Sequence, residues 1–341
     1  MAHAFSLSSI LDPRIFRFLS GGVVEVIGRI QKLGGKVELD MEDPARPVVQ
    51  VDLNGTKLTD QALTLLKGMP RLEALSLEFS RITNDGLEHL HTLPALRKLD
   101  LEGTKITDAG VDRLRSLQSL KSLDLNGTLI TDAGLKGISE MRHLEALVLV
   151  ATKVTDAGLS HLESLTELRA LVLSGTKITD ASLSHLEKLT NLEGLLLDFA
   201  PITDAGLAHL TKLRRLSTLS LNRTNVTDAG LTLLEKFDYL QHLSLEQTAI
   251  TDSGLAHLRP LTNLEYLNLG RCEISDAGLK HLKELRNLQY LDIRHTNISD
   301  SGLAHLTELT ALKNLLLPEG RITEQGIENL QLMMPRVEIQ I

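Results

Sequence analysis

LRKLDLEGTKITDAGVDRL is the sequence of residues 96–114, and variants of this stretch fill most of the chain. The last leucine of its LxxLxL segment is Leu101, and an aliphatic residue recurs at this position every 24 residues. A constant period of this length predicts stacked supersecondary units, each of which buries its apolar face only against its neighbours. The thirteen recurring positions, called anchors below, are Leu53, Leu77, Leu101, Leu125, Leu149, Leu173, Leu197, Leu221, Leu245, Leu269, Ile293, Leu317 and Ile341.

Each repeat contains one strand signal and one helix signal. Apolar and variable residues alternate in LxxLxL, which predicts a strand with one buried face and one outward face. In the ITDAGL segment that follows, threonine or aspartate can cap a helix of about ten residues, typified by Leu207, Leu210 and Leu213. The sequence therefore predicts an α/β solenoid with a parallel sheet on its concave side and helices on its convex side.

A column of small residues, mostly threonine, stands three positions after the anchors, as at Thr104 and Thr128. A buried hydroxyl at a turn needs a hydrogen-bond partner, and we expect the backbone of the neighbouring coil to supply it. Cys272 belongs to this column, so we interpret it as a buried small residue and not as a nucleophile.

Residues 1–47 lie outside the repeat. We predict one helix from Asp12–Pro13 to the Gly21–Gly22 pair, a second with its apolar stripe between Val23 and Leu33, and a short strand at Val37–Leu39. We interpret 1–47 as an N-terminal helical capping region, with a docking helix for a partner as the alternative. Residues 48–341 are then one repeat domain of about 12 repeats that ends on a thirteenth strand.

Composition narrows the class of protein. The chain has 341 residues, of which 42% are apolar, and a net charge of −8 that argues against a nucleic-acid partner. Cys272 is the only cysteine, so no intrachain disulfide forms, which favours a reducing compartment. Asp12, Pro13 and Arg14 interrupt any signal-peptide pattern, and no apolar run reaches the roughly 20 residues that span a bilayer. We expect a soluble, cytoplasmic protein.

The pattern LxxLxLxxTxITDxGLxxL resembles the leucine-rich repeat family, in the Cys-containing-like variant with threonine in the cysteine column. Its TDAGL wording is similar to repeat proteins common in bacteria, especially planctomycetes. The resemblance covers about residues 48–341 and implies a horseshoe used for protein recognition. It does not identify a partner, because members share a scaffold and not a ligand.

The outward strand positions near the amino end of the repeats are acidic. Charge runs usually serve only to solvate a face, although a basic partner or a loosely held divalent ion would also fit. These carboxylates are Asp52, Glu78, Asp100, Glu102 and Asp124.

Apolar side chains take the outward positions in the middle of the repeat array. Exposed apolar patches usually mark interaction sites, so we predict a protein or peptide partner here, while simple β-propensity is the alternative. The predicted binding residues are Val148, Val150, Val172, Leu196 and Phe199.

Tyr266 and Tyr290 occupy neighbouring positions of one outward column, flanked by Arg271, Arg294 and His295. Tyrosine and arginine are frequent hot-spot residues of protein interfaces, which predicts a second part of the binding surface. Two surface tyrosines that merely pack across strands are the alternative.

A histidine column, which includes His185 and His209, stands twelve residues after the anchors. Neighbouring convex helices lie too far apart for these imidazoles to share one metal, so we predict neither a metal nor a cofactor. No nucleophile–base pair, phosphate loop or dinucleotide fingerprint is evident, and we expect no enzyme.

These patterns together predict an interaction scaffold that binds a protein or peptide on its concave face. A structural or self-assembling module that pairs through its termini is the alternative, and an enzyme that uses the acidic zone is a weaker one. We expect no nucleic-acid or membrane partner, and a monomer, with a dimer through the C-terminal sheet edge as the other possibility.

Overall fold

The structure is a computed structural model and describes residues 21–341. The predicted helix at Asp12–Pro13 lies outside the described residues. The first described helix, α1, spans Gly21–Lys32, buries Ile27 and Ile30, and is followed by Gly34 at a φ of +90°. This left-handed turn leads into the first strand, so the predicted second helix and short strand are both present.

The remaining elements repeat a strand and a helical segment. The strands are β1 Lys36–Leu39, β2 Val48–Asp52, β3 Ala74–Ser76, β4 Lys98–Asp100, β5 Ser122–Asp124, β6 Ala146–Val148, β7 Ala170–Val172, β8 Gly194–Leu196, β9 Thr218–Ser220, β10 His242–Ser244, β11 Tyr266–Asn268, β12 Tyr290–Asp292, β13 Asn314–Leu316 and β14 Glu338–Gln340. The α-helices after α1 are α2 Asp108–Leu114, α3 Asp132–Ile138, α4 Asp156–Leu159, α5 Asp180–Leu183, α6 Asp204–Leu210, α7 Asp228–Leu234, α8 Asp252–Leu255, α9 Asp276–Leu279, α10 Asp300–Leu303 and α11 Glu324–Met333. The 3-10 helices are Asp60–Leu66, Gly86–Thr92, Ser160–Ser164, Ser184–Leu186, Ala256–Leu258 and Ala304–Glu308.

The chain forms two compact units, which meet in sequence between Val154 and Thr155. In the first unit, β1 is antiparallel to β2, and β2 to β6 pair in parallel and in sequence order. In the second unit, β7 to β14 are likewise parallel and in order. Paired residues are one repeat apart, as in Tyr266 opposite Tyr290, so the sequence period sets the register.

Each strand from β2 to β13 is three to five residues long and buries a leucine or valine at its inward position, such as Leu267 or Leu291 with no exposed surface. The residues on either side of this position face outward, on the side of the sheet called the open face below. Alternation with period two explains this division. The predicted α/β leucine-rich-repeat solenoid, with its parallel sheet and alternating helices, is confirmed.

The helices are shorter than predicted. Apart from α11, those after α1 have four to seven residues, and four of the short ones continue as 3-10 helix. Leu207 and Leu210 lie within α6, but Leu213 lies beyond its end. Apolar residues at a spacing of three match the 3-10 period better than the α period, which accounts for the difference.

The threonine column is buried as predicted, but its hydrogen bonds differ. Thr104 Oγ1 donates to the carbonyl of Leu101 at 2.6 Å, and Thr128 Oγ1 donates to Leu125 at 2.6 Å. The acceptor belongs to the same coil, because the chain turns back within three residues; the expectation of a neighbouring-coil partner was wrong. Cys272, 3% exposed, instead reaches the neighbouring coil, where its thiol donates to Leu245 at 3.1 Å.

An aspartate ladder connects successive helices. Thr203, the N-cap of α6, donates from its backbone N and from Oγ1 to the carboxylate of Asp180 in the previous repeat, at 2.8 and 2.6 Å. Gly206 makes room for this carboxylate, since a Cβ there would lie 2.3 Å from Asp180 Oδ1. The aspartate and glycine of TDAGL are thus explained by packing between repeats. Further aspartates with the same two contacts are Asp60, Asp108, Asp156, Asp204, Asp228, Asp252, Asp276 and Asp300.

Candidate functional site

Three aromatic rings line up across the open face of the second unit. The strand register places His242 opposite Tyr266 and Tyr266 opposite Tyr290. The two tyrosine rings are stacked, with centroids 4.5 Å apart and planes 10° from parallel, and the His242 ring follows at 6.1 Å. The predicted adjacency of the two tyrosines in one column is present, and we call these three residues the aromatic stack.

The surroundings of the stack hold its phenols neutral. Burial, followed by the neighbouring Tyr290 and Asp292, raises the pKa of Tyr266 to about 12. Burial and Asp292 also raise the pKa of Tyr290. At neutral pH both side chains therefore present an apolar ring with a hydroxyl that can donate a hydrogen bond.

Arg294 lies beside the stack but is already paired. Its Nη2 donates to Asp292 Oδ2 at 2.6 Å, and its Nε lies 3.1 Å from each carboxylate oxygen. The Asp292 side chain is only 4% exposed, so this pair compensates a buried charge. Asp292 thus holds the Arg294 side chain in place beside the stack, and the charge of Arg294 is less available to a partner than the sequence suggests.

Arg271, His295 and Phe199 occupy the turns that follow three of the strands. Each has a left-handed φ, of +61°, +59° and +63° respectively, and each is exposed. Arg271 Nε lies 3.5 Å from Glu246 Oε1, with both side chains open to solvent. These residues therefore border the open face and do not form its floor.

A groove joins the apolar and aromatic parts of the second unit. It has a volume of about 360 Å³ and extends from Leu196 on β8 to Tyr266 on β11. Thr218, Ser220 and Ser244 form much of its floor, so the depression exists because small side chains separate two large ones. Sequence reasoning missed these three residues, although small outward residues between larger ones were visible in the columns. We call this feature the Leu196–Tyr266 groove.

The remaining predicted apolar residues fall in different units. Val172 pairs with Leu196 in register and is half-buried, next to the groove. Val148 and Val150 are half-buried on the open face of the first unit, at and just after β6. The structure thus brings Val172, Leu196 and the tyrosines onto one unit and places the other two valines on the first.

The acidic zone of the first unit is crowded. Burial is the largest cause that raises the pKa of Asp124, and the charges of Asp100 and Glu78 add to it. The pKa of Glu102 is raised as well, first by burial and then by charge repulsion, of which Glu78 is the largest source. Within residues 21–341, no group of three or more His, Cys, Asp or Glu side chains is arranged to hold a metal ion.

Some histidines of the column pair with glutamates, whereas His281 Nδ1 accepts from Arg259 Nη2 at 2.6 Å. His185 Nδ1 lies 2.7 Å from Glu163 Oε1, and His209 Nδ1 lies 2.9 Å from Glu187 Oε1. Each glutamate belongs to the preceding repeat, so the column contributes to contacts between repeats.

In the part of the chain that the structure describes, no helix combines the length and the apolarity that crossing a lipid bilayer requires.

Comparison with known proteins agrees with the fold. A family model described as a leucine-rich repeat matches residues 92–114, 116–139, 261–283 and 284–309. No curated protein matches the sequence significantly.

Among solved structures, an internalin from Listeria monocytogenes is similar with a TM-score of 0.67 and 24% identity, over 98% of each chain. This likeness concerns the fold alone. Internalin C2 from the same organism (28% identity, 63% of this chain and 84% of that chain, TM-score 0.47) and a leucine-rich-repeat protein from Leptospira interrogans (15% identity, 95% and 99%, TM-score 0.48) are too distant in structure to support an argument. The matched segments are leucine-rich repeats, and together with the 24-residue register and the shared fold they identify the fold as a leucine-rich-repeat solenoid.

Proposed function

We propose that the protein is an interaction scaffold that binds a protein or peptide on the open face of its sheet. The observation that supports this most directly is the Leu196–Tyr266 groove, which ends at Tyr266, whose ring is stacked on that of Tyr290. The groove has apolar ends, a hydroxyl floor and two preformed aromatic surfaces. This composition is typical of the centres of protein interfaces.

The stack is suited to binding because its geometry already exists in the free protein. Each tyrosine has few rotatable bonds, and the ring contact restricts them further. Aromatic contacts are worth about 0.5–1.5 kcal/mol beyond simple burial, and a preorganised surface loses little of this to ordering. Arg294, held by Asp292, would delimit one side of the bound segment.

Other parts of the proposal rest on composition and chemistry. The single cysteine supports a reducing, cytoplasmic location, and the net charge of −8 supports a protein partner over a nucleic acid. We propose no catalytic role, and we retain Val148 and Val150 as contacts of the first unit. The capping role of residues 1–47, the bacterial origin and the monomeric state also remain proposals.

The experiment compares capture of partners from the source organism's lysate by immobilised wild-type chain and by three variants. Tyr266→Ala and Leu196→Asp alter the two ends of the groove, and Tyr239→Ala removes a tyrosine that is 63% exposed and lies outside the groove. We expect the proteins retained by wild type and by Tyr239→Ala to be lost from the other two. Equal retention by all four chains, with their folding verified by circular dichroism, would contradict the proposed site.

A further inference from the structure

The turns that follow β8 to β12 place five side chains in one row at the carboxyl ends of the strands. All five are exposed and have a left-handed φ between +55° and +63°. The row consists of Phe199, Arg223, Gln247, Arg271 and His295, and we call it the turn row.

The fold does not need side chains in this row. Gly175 occupies the same column one repeat earlier with a φ of +69°. In the first unit this column alternates, with Gly55, Gly103 and Gly127 beside Phe79 and Ala151 at φ values of +52° and +53°. Glycine adopts this conformation freely, whereas other residues incur a conformational penalty. Five consecutive repeats therefore keep a larger side chain where glycine would be less strained, and backbone strain of this kind concentrates at functional sites.

The row is cationic and partly aromatic. The Arg223 guanidinium carbon lies 5.0 Å from the centroid of the Phe199 ring, within cation–π range. Among residues 21–341 no carboxylate lies within ion-pair distance of Arg223, and Arg271 has only the solvent-exposed contact with Glu246. A partner with negative charge would complete these contacts.

Asp198, which directly precedes Phe199 in the chain, accepts hydrogen bonds from β9 and the residues after it. Asp198 Oδ1 accepts from Ser220 Oγ at 2.5 Å and from the backbone N of Asn222 at 2.8 Å. These bonds keep its charge directed into the sheet. The Arg223 guanidinium thus faces solvent without a carboxylate partner, and that of Arg271 has only its contact with Glu246.

The spacing of the row follows the sheet. The backbone N of Arg223 donates to the carbonyl of Glu246, and that of Arg271 donates to Arg294, so the ladder continues into the turns. Adjacent strands are about 4.8 Å apart, which places Arg223 and Arg271, two strands apart, at roughly 9.6 Å. A peptide in the polyproline II conformation has three residues per turn and advances about 3.1 Å per residue, so its side chains at positions i and i+3 lie on the same side, about 9.3 Å apart.

We infer that the turn row binds an acidic segment of a partner protein in the polyproline II conformation, with carboxylates three residues apart placed against Arg223 and Arg271. An apolar side chain of the same segment would lie on Phe199. This inference rests on the proposed function and specifies the chemistry of the partner. Charge complementarity favours a carboxylate-bearing peptide.

The test uses short fluorescein-labelled peptides and fluorescence anisotropy with the full chain. One peptide carries two glutamates at i and i+3, a second carries them at i and i+2, and a third has glutamine in both places. We expect the first peptide to bind about threefold or more tightly than the second, because in the polyproline II conformation only i and i+3 lie on one side at the spacing of two strands. Binding of the third should be weaker still and insensitive to salt, since ionic contacts between exposed groups are screened.

Variants assign the binding to the row. Arg223→Gln with Arg271→Gln removes two charges from it, and Lys283→Gln with Arg286→Gln removes two exposed charges elsewhere in the same unit. We expect the first pair to weaken the i, i+3 peptide by about tenfold and the second pair by less than about twofold. Circular dichroism verifies that both double variants are folded.

The inference is overturned if both double variants lose the peptide equally, if the glutamine peptide binds as tightly, or if a single-stranded oligonucleotide competes with the peptide and binds more tightly. Failure here is separable from failure of the proposed function. If Tyr266→Ala abolishes lysate capture while replacing Arg223 and Arg271 leaves peptide affinity unchanged, only the acidic-segment inference fails. If Tyr266→Ala and Leu196→Asp leave capture intact, the groove assignment fails.

Discussion

At the scale of single residues, the turns after the strands separate what the fold requires from what it tolerates. The left-handed φ recurs at the same repeat position whether the residue is Gly55, Ala151 or Gln247. Neighbouring strands impose this conformation, because the turn's backbone N bonds to the next coil, as from Gly55 to Glu78. The side chain is therefore free to vary, at a cost of roughly 1–2 kcal/mol for each residue other than glycine.

Gly55→Ala measures this conformational cost alone. Gly55 has a φ of +62° with nothing within 4 Å of an added Cβ, and Gly194 has equally open surroundings without the positive φ. We expect Gly55→Ala to lower the free energy of unfolding by about 1 kcal/mol, and Gly194→Ala to leave it unchanged or raise it by a few tenths. Urea denaturation followed by circular dichroism measures both. Equal effects of the two substitutions would show that the turn conformation carries no penalty.

Asp124→Asn tests the crowding of the acidic zone. Since the folded state raises the pKa of Asp124, the charged carboxylate destabilises the fold at neutral pH, and this effect disappears below the ordinary aspartate pKa. An asparagine at position 124 can still accept the hydrogen bond that the backbone N of Asn126 donates to Asp124. Asn268 at the end of β11 accepts the equivalent bond from the backbone N of Gly270. We expect the variant to be more stable at pH 7 by up to about 1 kcal/mol, with the gain vanishing near pH 3.

The comparison is made by urea denaturation at the two pH values. The control is Asp238→Asn, which changes an exposed carboxylate outside the acidic zone. A stability gain at pH 7 that persists unchanged at low pH would contradict the electrostatic explanation.

Residue positions were predictable from the sequence to the extent that the repeat register fixes them. The adjacency of Tyr266 and Tyr290 follows directly from the 24-residue step. The Arg294–Asp292 pair does not, because it depends on how a long side chain folds back over its own strand. The groove also depends on side-chain depth, which the alternation of outward residues does not reveal.

At the scale of elements, the short helices are stabilised by the repeat before them. A helix of four to seven residues has too few internal hydrogen bonds to form alone. The N-cap threonine, such as Thr203, accepts a hydrogen bond from the backbone N of Ala205 in the first turn of the helix. Asp180 in turn accepts two hydrogen bonds from Thr203 and holds it in place. The existence of these helices was predictable from the TDAGL motif, but their length was not, since the neighbouring repeat and not the local sequence determines where each helix ends.

Gly206→Ala tests the aspartate ladder. The added methyl would lie 2.3 Å from Asp180 Oδ1, so the carboxylate must move and its two bonds to Thr203 are lost or weakened. We expect a loss of about 2 kcal/mol in the free energy of unfolding. Combining it with Asp180→Ala should cost less than the sum of the two single changes, because both remove the same contacts.

The two single variants and the double variant form a thermodynamic cycle measured by urea denaturation. Ser182, in place of glycine one repeat earlier, shows how a larger side chain can be accommodated: its Oγ donates to the Thr179 carbonyl at 2.8 Å. Gly206→Ser is therefore expected to be milder than Gly206→Ala. Strict additivity in the cycle would mean that the glycine and the aspartate act independently.

At the scale of the whole molecule, the repeat determines the class of fold, and the variable outward-facing side chains determine what is recognised. The sequence predicted the parallel order of the strands correctly because every repeat has the same length. The division into two units after Val154 has no counterpart in the sequence, where the repeat continues without insertion. Each repeat contacts chiefly its neighbours, so such a boundary depends on small differences among interfaces that resemble one another.

The aspartate ladder also has a direction, and that direction matches the way the chain is made. Within each unit the acceptor, such as Asp180, precedes its donor, Thr203, by 23 residues. A nascent chain leaves the ribosome with its amino end first, so the carboxylate is already in place when the next threonine emerges. Each completed coil then serves as a template for the following one during translation, and growth in the opposite direction would present each threonine before its aspartate acceptor.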